Sequence, residues 1–274
     1  MPSSSASSSS ASSSSASSSS GSGGAGGAGG SGGSGGAGGA VEPSGFVPTD
    51  LPGCRWWLRA DSVETDGQAV VSLGDRSGNG HVVSQADAAR RATWIASSPA
   101  FNGRPALQFS KAQFYEKVGD IHLPFGNTPV TAFMVGSIDA IPDIGPNGFF
   151  AYHTGGAAHI YARVQGVNRF RVQAENPYTT TLGAGPAGSA HAFAFTYEAG
   201  TLRTFRDGTA GEVFQAAMWG GSSNPSLRVG TTDSGTPYSL YGGQIAEIVL
   251  FEGALNDADR HQVERYLRAR YALP

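Results

Sequence analysis

Short segments in which apolar and polar residues alternate place the tightest limit on what this chain can fold into. One such segment spans residues 160–172 and turns at Gly166, and another spans residues 193–206 and turns at Gly200. A period of two puts successive side chains on opposite faces of a β-strand, and the Gly, Pro, Asn and Asp residues between segments favour turns. The sequence therefore predicts an all-β protein built from short antiparallel strands.

Two segments near the C-terminus depart from this alternation. Within residues 244–251, both the odd and the even positions from Ile245 onward are apolar apart from Glu247, which is typical of a central strand covered on both faces. After Asn256, a residue type that favours helix N-termini, apolar residues recur at helical spacing. This apolar stripe consists of Val263, Tyr266, Leu267 and Tyr271. The sequence thus predicts a deeply buried strand followed by one short amphipathic helix.

The first 42 residues contain almost no side chain that can contribute to a core. Positions 1–40 hold 18 Ser, 13 Gly and 7 Ala, a composition that cannot offset the entropy lost on ordering the backbone. We predict a disordered Ser/Gly-rich tether over residues 1–42 and a folded domain over residues 43–274. The tether resembles the spacers behind the lipidated cysteine of bacterial surface lipoproteins, and it holds no signal peptide. We expect an extracellular or cell-surface location, with the natural start upstream or already removed.

Net charge and cysteine content exclude several classes of protein. The chain carries a net charge of −3, so it lacks the basic field with which binding to nucleic acid or anionic lipid begins. Its longest apolar run, residues 245–251, is far shorter than the roughly 18–20 residues that cross a bilayer. A single cysteine, Cys54, cannot form an internal disulfide. We therefore expect no nucleic-acid partner and no membrane span.

Several motifs occur in a fixed order along the chain. They are LPG at 51–53, WLRAD at 57–61, DRSGNG at 75–80, NGRPAL at 102–107, TAFMV at 131–135, the strand pair at 191–208, LRVG at 227–230, and GQIAEI at 243–248 before the terminal helix. Together they resemble the LamG-like jelly-roll domains of the concanavalin A-like lectin/glucanase superfamily. The resemblance implies a sandwich of two packed antiparallel sheets, one of them concave, with a short C-terminal helix against it. The family serves sugar binding, adhesion and, in some branches, glycoside hydrolysis.

Acidic residues are too scattered along the sequence to predict catalysis. Hydrolysis of a glycosidic bond needs two carboxyl groups about 5–10 Å apart, and the glucanase branches of the family present them from one strand in a Glu-x-Asp-x-x-Glu spacing that is absent here. Glu247 and Glu252 lie five residues apart and fall on opposite faces of a strand. The sequence therefore predicts that the chain is not an enzyme, with Glu247 a buried partner of an arginine such as Arg59 or Arg104.

Candidate ligand-binding residues fall into two groups, because sugar sites combine aromatic faces with polar groups that hold hydroxyls. The outward face of the first hairpin carries Tyr161, Arg163, Arg169 and Arg171, and the loops supply Tyr178, Trp219 and Tyr238. Alternatively, the loop aromatics cap the edge of the sandwich and the outward arginines keep a strand soluble.

From these residues we predict a non-catalytic, surface-displayed binding module that recognises a carbohydrate or glycoprotein ligand. A protein-recognition or adhesion module of similar fold is the first alternative, and a glycoside hydrolase is the second. The first alternative predicts binding to a protein and to no glycan, and the second predicts release of reducing sugar.

Calcium is the candidate cofactor, and Asp75 and Asn79 are its candidate ligands. Their carboxylate and amide oxygens are groups that Ca²⁺ prefers, and relatives of the resembled family often hold this ion in loops. Turn geometry explains the same motif, because Asp and Asn side chains bond to nearby backbone and Gly adopts positive φ. Both interpretations of residues 75–80 stay open at the level of sequence.

Overall fold

The computed structural model describes residues 45–123, 128–139, 147–154, 157–165, 169–174, 178–215, 225–232 and 240–274. These ranges contain sixteen strands and one α-helix. The strands are β1 (Cys54–Asp66), β2 (Ala69–Asp75), β3 (Val82–Ser84), β4 (Thr93–Ser98), β5 (Arg104–Ser110), β6 (Tyr115–Val118), β7 (Val130–Ile138), β8 (Asn147–Thr154), β9 (Ala157–Gln165), β10 (Arg169–Ala174), β11 (Tyr178–Gly183), β12 (Ala190–Glu198), β13 (Thr201–Arg206), β14 (Thr209–Gln215), β15 (Pro225–Val229) and β16 (Gly242–Glu252). The helix is α1 (Asp257–Tyr271), and short 3-10 turns lie at Pro48–Asp50, Ala88–Arg90 and Pro99–Phe101. The prediction of an all-β protein with a short C-terminal helix is confirmed.

All sixteen strands belong to one continuous hydrogen-bonded sheet. Its strand order is β11-β10-β9-β8-β15-β6-β3-β2-β4-β5-β16-β7-β12-β13-β14, and β1 pairs with both β16 and β2. The antiparallel pairings β1–β2, β2–β4, β4–β5, β5–β16 and β16–β1 complete a closed ring of five strands, to which the outer strands are attached. The predicted jelly-roll sandwich of two separate sheets is therefore wrong.

The ring closes because β1 is long and pairs along both of its edges. Its first half pairs with β16, with Trp57 opposite Val249, and its second half pairs with β2, with Val63 opposite Leu73. The register with β2 shifts between Leu58 and Val63, where five steps along β1 correspond to two along β2. Alternation in a sequence shows which face of a strand is apolar but not which strands pair, so this closure cannot be predicted from the pattern.

β16 lies at the centre of the fold and is buried on both faces, as the sequence predicts. A bulge in its pairing with β7, between Ile245 and Glu247, shifts its alternation by one residue. One face therefore joins the larger apolar core with Ile245, Ile248 and Leu250, and the other joins a second core with Ala246, Val249 and Phe251. The side chain of Glu247 points to the second core, where α1 packs.

α1 covers the second core with the predicted apolar stripe. All four residues of the stripe, Val263, Tyr266, Leu267 and Tyr271, are buried. Asn256 caps the helix, because its side-chain oxygen accepts a hydrogen bond from the backbone amide of Asp259 at 3.0 Å. Within the described ranges, no helix is long and apolar enough to cross a membrane.

Leu267→Ala tests whether the packing of α1 holds the domain together. Leu267 is fully buried in the second core, so we expect its truncation to lower the free energy of unfolding by about 2–5 kcal/mol. Urea denaturation followed by circular dichroism measures this value. Arg265→Ala, at an exposed position of the same helix, is the matched control and should change it by less than about 0.5 kcal/mol. Equal effects of the two substitutions would contradict this account of the helix.

Candidate functional site

Five neighbouring strands in the order β10-β9-β8-β15-β6 present a polar outer face. Their inward residues, among them Ile160, Val164, Phe170 and Leu227, lie in the larger apolar core. Because side chains alternate across a strand, the residues between them point outward. We call the outward set the arginine face, which consists of Glu116, Ala151, Tyr161, Arg163, Arg169, Arg171, Gln173 and Arg228.

The strand register places five of these residues on one line across the sheet. Gln173 is opposite Tyr161, Tyr161 opposite Ala151, Ala151 opposite Arg228, and Arg228 opposite Glu116. With neighbouring strands about 4.8 Å apart, this line is about 19 Å long. The fold therefore aligns polar groups from four of these five strands, and the groups come from residues up to 112 positions apart for the pair of Arg228 with Glu116.

Tyr161, Arg163 and Gln173 form a connected cluster at one end of the line. The guanidinium carbon of Arg163 lies 4.9 Å from the centroid of the Tyr161 ring. Both side chains also donate to the side-chain oxygen of Gln173, Arg163 from Nη2 at 3.3 Å and Tyr161 from its hydroxyl. Because each group restrains the others, the cluster is held in position before any ligand arrives.

Arg228 and Glu116 form an ion pair at the other end of the line. Arg228 Nε donates to Glu116 Oε1 at 2.7 Å, and the two side chains are only 15% and 27% exposed. Partial burial reduces solvent screening of the pair. Glu116 is the one carboxylate that the described side chains place on this line.

The structure brings together four of the predicted ligand residues. Tyr161, Arg163 and Arg171 lie side by side on the arginine face, and the exposed Arg169 lies at its edge. The side chain of Tyr178, and the whole of Trp219 and Tyr238, lie outside the described residues.

Gln173, Arg228 and Glu116 were missed by the sequence analysis. Gln173 is two residues beyond Arg171 on the same strand, so the alternation itself could have indicated it. Arg228 and Glu116 meet only through the pairing of β15 with β6. No local pattern in the sequence reveals that pairing.

Asp75 and Asn79 use their polar atoms within the turn that contains them and to bind this turn to β1. Asp75 Oδ1 accepts hydrogen bonds from the backbone amides of Trp57 at 2.8 Å and Ser77 at 2.9 Å. Asn79 Nδ2 donates to the backbone oxygen of Arg55 at 3.0 Å and to Ser77 Oγ at 2.8 Å. Among the described residues, no group of three or more His, Cys, Asp or Glu is arranged to hold a metal ion.

Glu247 is a buried anchor for α1 and is not open to a substrate. Its Oε1 accepts hydrogen bonds from Trp57 Nε1 at 2.6 Å and from the Tyr266 hydroxyl at 3.0 Å. Its Oε2 accepts one from the Tyr271 hydroxyl at 2.6 Å. Arg270 Nε lies 3.7 Å from Oε2, and Arg59, one of the two arginines named from sequence, also acts on the carboxylate through its positive charge.

The protonation of Glu247 is shifted by its surroundings. Burial raises the pKa of the Glu247 carboxyl above its ordinary value, against the hydrogen bond from Tyr271 and the positive charges of Arg59 and Arg270. The native state therefore retains this proton at pH values at which the unfolded chain has lost it. The contribution of the carboxyl to stability consequently falls as pH rises from about 4.5 through the raised pKa.

Glu247→Gln is expected to lower the free energy of unfolding at pH 7 by about 1–3 kcal/mol, because buried donors lose their acceptor. The loss relative to the wild type should be larger at pH 4 than at pH 7, since the wild type alone gains from protonation as pH falls. Urea denaturation at the two pH values measures both effects. Glu252→Gln, which removes an exposed pair with Arg55, is the control and should cost about 0–1 kcal/mol. A loss that grows with pH would contradict the direction of the shift.

Comparison with known proteins finds solved structures that are similar to this chain in fold. No protein-family model matches the chain. No curated protein sequence matches it either. An arabinofuranosidase complexed with arabinofuranosyl-α-1,2-xylobiose matches with a TM-score of 0.59 at 14% identity, covering 81% of this chain and 60% of that chain.

Two further solved structures are similar over most of this chain. Domain 4 of a GH43 extracellular arabinanase from Geobacillus stearothermophilus, in complex with arabinotriose, matches with a TM-score of 0.51 at 14% identity, covering 77% of this chain and 98% of that chain. A Trypanosoma rangeli sialidase in complex with 2,3-difluorosialic acid matches with a TM-score of 0.56 at 12% identity, covering 80% of this chain but 33% of the sialidase. The chain therefore spans about a third of that enzyme's length.

These neighbours contradict the prediction of a non-catalytic binding module and support the expected link to carbohydrate-active proteins. They are named as an arabinofuranosidase, an arabinanase domain and a sialidase, so the prediction of a non-catalytic binding module that is not an enzyme is wrong. That prediction considered only the carboxyl groups that a single strand presents together. The fold brings together residues of strands that are distant in the sequence, as it does for Glu116 and Arg228. The expected link between this β-rich scaffold and carbohydrate-active proteins is confirmed.

Proposed function

We propose that this chain is a domain of a glycoside hydrolase, and that its arginine face holds the saccharide. The observation that carries the proposal is the line from Gln173 to Glu116 across five strands. Sugar hydroxyls both donate and accept hydrogen bonds. The line offers both functions, because the guanidinium of Arg228 donates, the carboxylate of Glu116 accepts, and the amide of Gln173 does both.

The restraint of these side chains supports the proposal. Tyr161, Arg163 and Gln173 contact one another, and Arg228 is paired with Glu116. Preformed groups lose little conformational entropy when a ligand binds, so the free energy of their new hydrogen bonds is largely retained. A loose set of surface arginines would lack this advantage.

The solved neighbours support an oligosaccharide as the substrate class. The arabinanase domain is similar over 98% of its length and was solved with arabinotriose, and the arabinofuranosidase was solved with a substituted xylobiose. Under our proposal, this chain likewise takes an oligosaccharide. Membership of the LamG-like group and an extracellular location stay predictions, as do ligand roles for Tyr178, Trp219 and Tyr238.

Gln173→Ala tests where the saccharide binds. Retention of the intact chain by immobilised arabinan and arabinoxylan in affinity electrophoresis gives apparent dissociation constants. We expect Gln173→Ala to weaken retention about tenfold, or roughly 1.4 kcal/mol, because one amide that contacts the ligand is removed. Gln215→Ala, at an exposed position of β14, is the matched control and should leave retention unchanged.

Absence of retention by any polysaccharide would contradict the proposal, and so would equal losses in the two variants. Reducing-sugar release from the polysaccharide that is best retained shows whether the same chain also cleaves it. Hydrolysis needs a second carboxyl group about 5–10 Å from the first. Release that Glu116→Gln abolishes would place the reaction on the arginine face.

A further inference from the structure

The line of polar residues continues beyond Glu116 onto three further strands. Glu116 of β6 is opposite Ser84 of β3. Ser84 is in turn opposite Ser72 of β2, and Ser72 is opposite Glu64 of β1. From Gln173 to Glu64 the path spans seven strand spacings of about 4.8 Å, which makes it about 34 Å long. We call Glu64, Ser72 and Ser84 the extension of the line.

The extension lies on the same outer face of the sheet as the arginine face. Each of its residues is next, along its strand, to a side chain that belongs to the larger apolar core or packs against it. These neighbours are Val63, Leu73 and Val83. Because side chains alternate across a strand, the residues of the extension point away from that core. Glu64 and Ser84 are exposed and Ser72 is half-buried, so the extension is open to a ligand.

The polar groups of the extension complement the hydroxyl groups of a sugar. Ser72 Oγ donates a hydrogen bond to Glu64 Oε2 at 3.0 Å. A carboxylate can accept several hydrogen bonds, and a serine hydroxyl can both donate and accept. Glu64 can therefore accept a hydrogen bond from a sugar hydroxyl beside the one from Ser72, and Ser84 can donate or accept. Each outer strand of the extension thus adds a group that matches a saccharide.

Two exposed apolar side chains border the line where β3 meets β6. Val82 is two residues before Ser84, and Val118 is two residues after Glu116. Because the two strands are antiparallel, both valines lie on the same side of the line and on the outer face. They are 44% and 51% exposed. Sugar rings present C–H groups beside their hydroxyls, so an apolar border next to hydrogen-bonding groups fits a saccharide.

We propose that the substrate is a polysaccharide strand long enough to lie along both the arginine face and the extension. The inference rests on the proposed function and specifies the length of its substrate. A trisaccharide occupies only part of a path of about 34 Å. A longer strand also contacts Ser84, Ser72 and Glu64, and each added hydrogen bond increases its affinity.

Oligosaccharides of different length test the inference on the intact chain. Isothermal titration calorimetry measures the dissociation constants of linear arabino-oligosaccharides and xylo-oligosaccharides with three, five and seven units. We expect the seven-unit ligand of at least one series to bind about thirtyfold more tightly than its three-unit ligand, because it makes several further hydrogen bonds. A long ligand can also occupy a short site in several overlapping positions, but this increases affinity only a few-fold.

Glu64→Ala locates the added contacts on the molecule. We expect it to weaken binding of the seven-unit ligand about tenfold and to leave binding of the three-unit ligand unchanged, because the arginine face holds the short ligand. Glu198→Ala removes the same side chain from an exposed position of β12, outside the line, and should change neither constant. Ser84→Ala, a smaller change at an exposed position, serves as a second variant if Glu64→Ala does not fold by circular dichroism.

Three results would overturn the inference. Equal affinity for three, five and seven units would refute a long substrate while leaving a saccharide-binding face intact. Equal losses in Glu64→Ala and Glu198→Ala would show that the added units do not lie on the extension. Binding of neither series at any length would remove the proposed function together with this inference.

Discussion

The double pairing of β1 holds the fold together. β1 hydrogen-bonds to β16 along one edge and to β2 along the other, which closes five strands into a ring. β16 in turn has one face in each apolar core, and it presents Glu247 to the underside of α1. Burial of that carboxylate is tolerated because Trp57, Tyr266 and Tyr271 all donate to it. The helix, the ring and both cores are therefore linked through two adjacent strands.

Local structure, including the hairpins β9–β10 and β12–β13, could be predicted from the sequence, whereas the pairing of strands distant in the sequence could not. The strand at residues 244–251 and the stripe of α1 follow from periodicity, and both are buried as expected. The closed ring depends on a bulge between Leu58 and Val63 and on contacts between distant segments. Periodicity carries no information on such contacts. The same limit explains why Arg163 and Arg171 were recognised on one hairpin while the pair of Arg228 with Glu116 was missed.

The arginine face follows from the continuity of the sheet. Strands β6, β15, β8, β9 and β10 come from different parts of the chain, but their unbroken pairing puts their outward residues in register. Inward residues of the same strands fill the larger core, so the strands that stabilise the domain also fix the spacing of its polar groups. Solved glycosidase structures are similar to this chain in fold, and under the proposed function the side chains on the arginine face select the saccharide.

A titration of the ¹⁵N-labelled chain with arabinotriose, followed by amide NMR shifts, tests most directly whether the arginine face holds a saccharide. The account predicts that the largest shifts fall within β9, β10 and β15, around Tyr161, Arg171 and Arg228. Amides of α1, which packs on the second apolar core, should change little. Largest shifts in α1, with β9 and β10 unperturbed, would contradict the account.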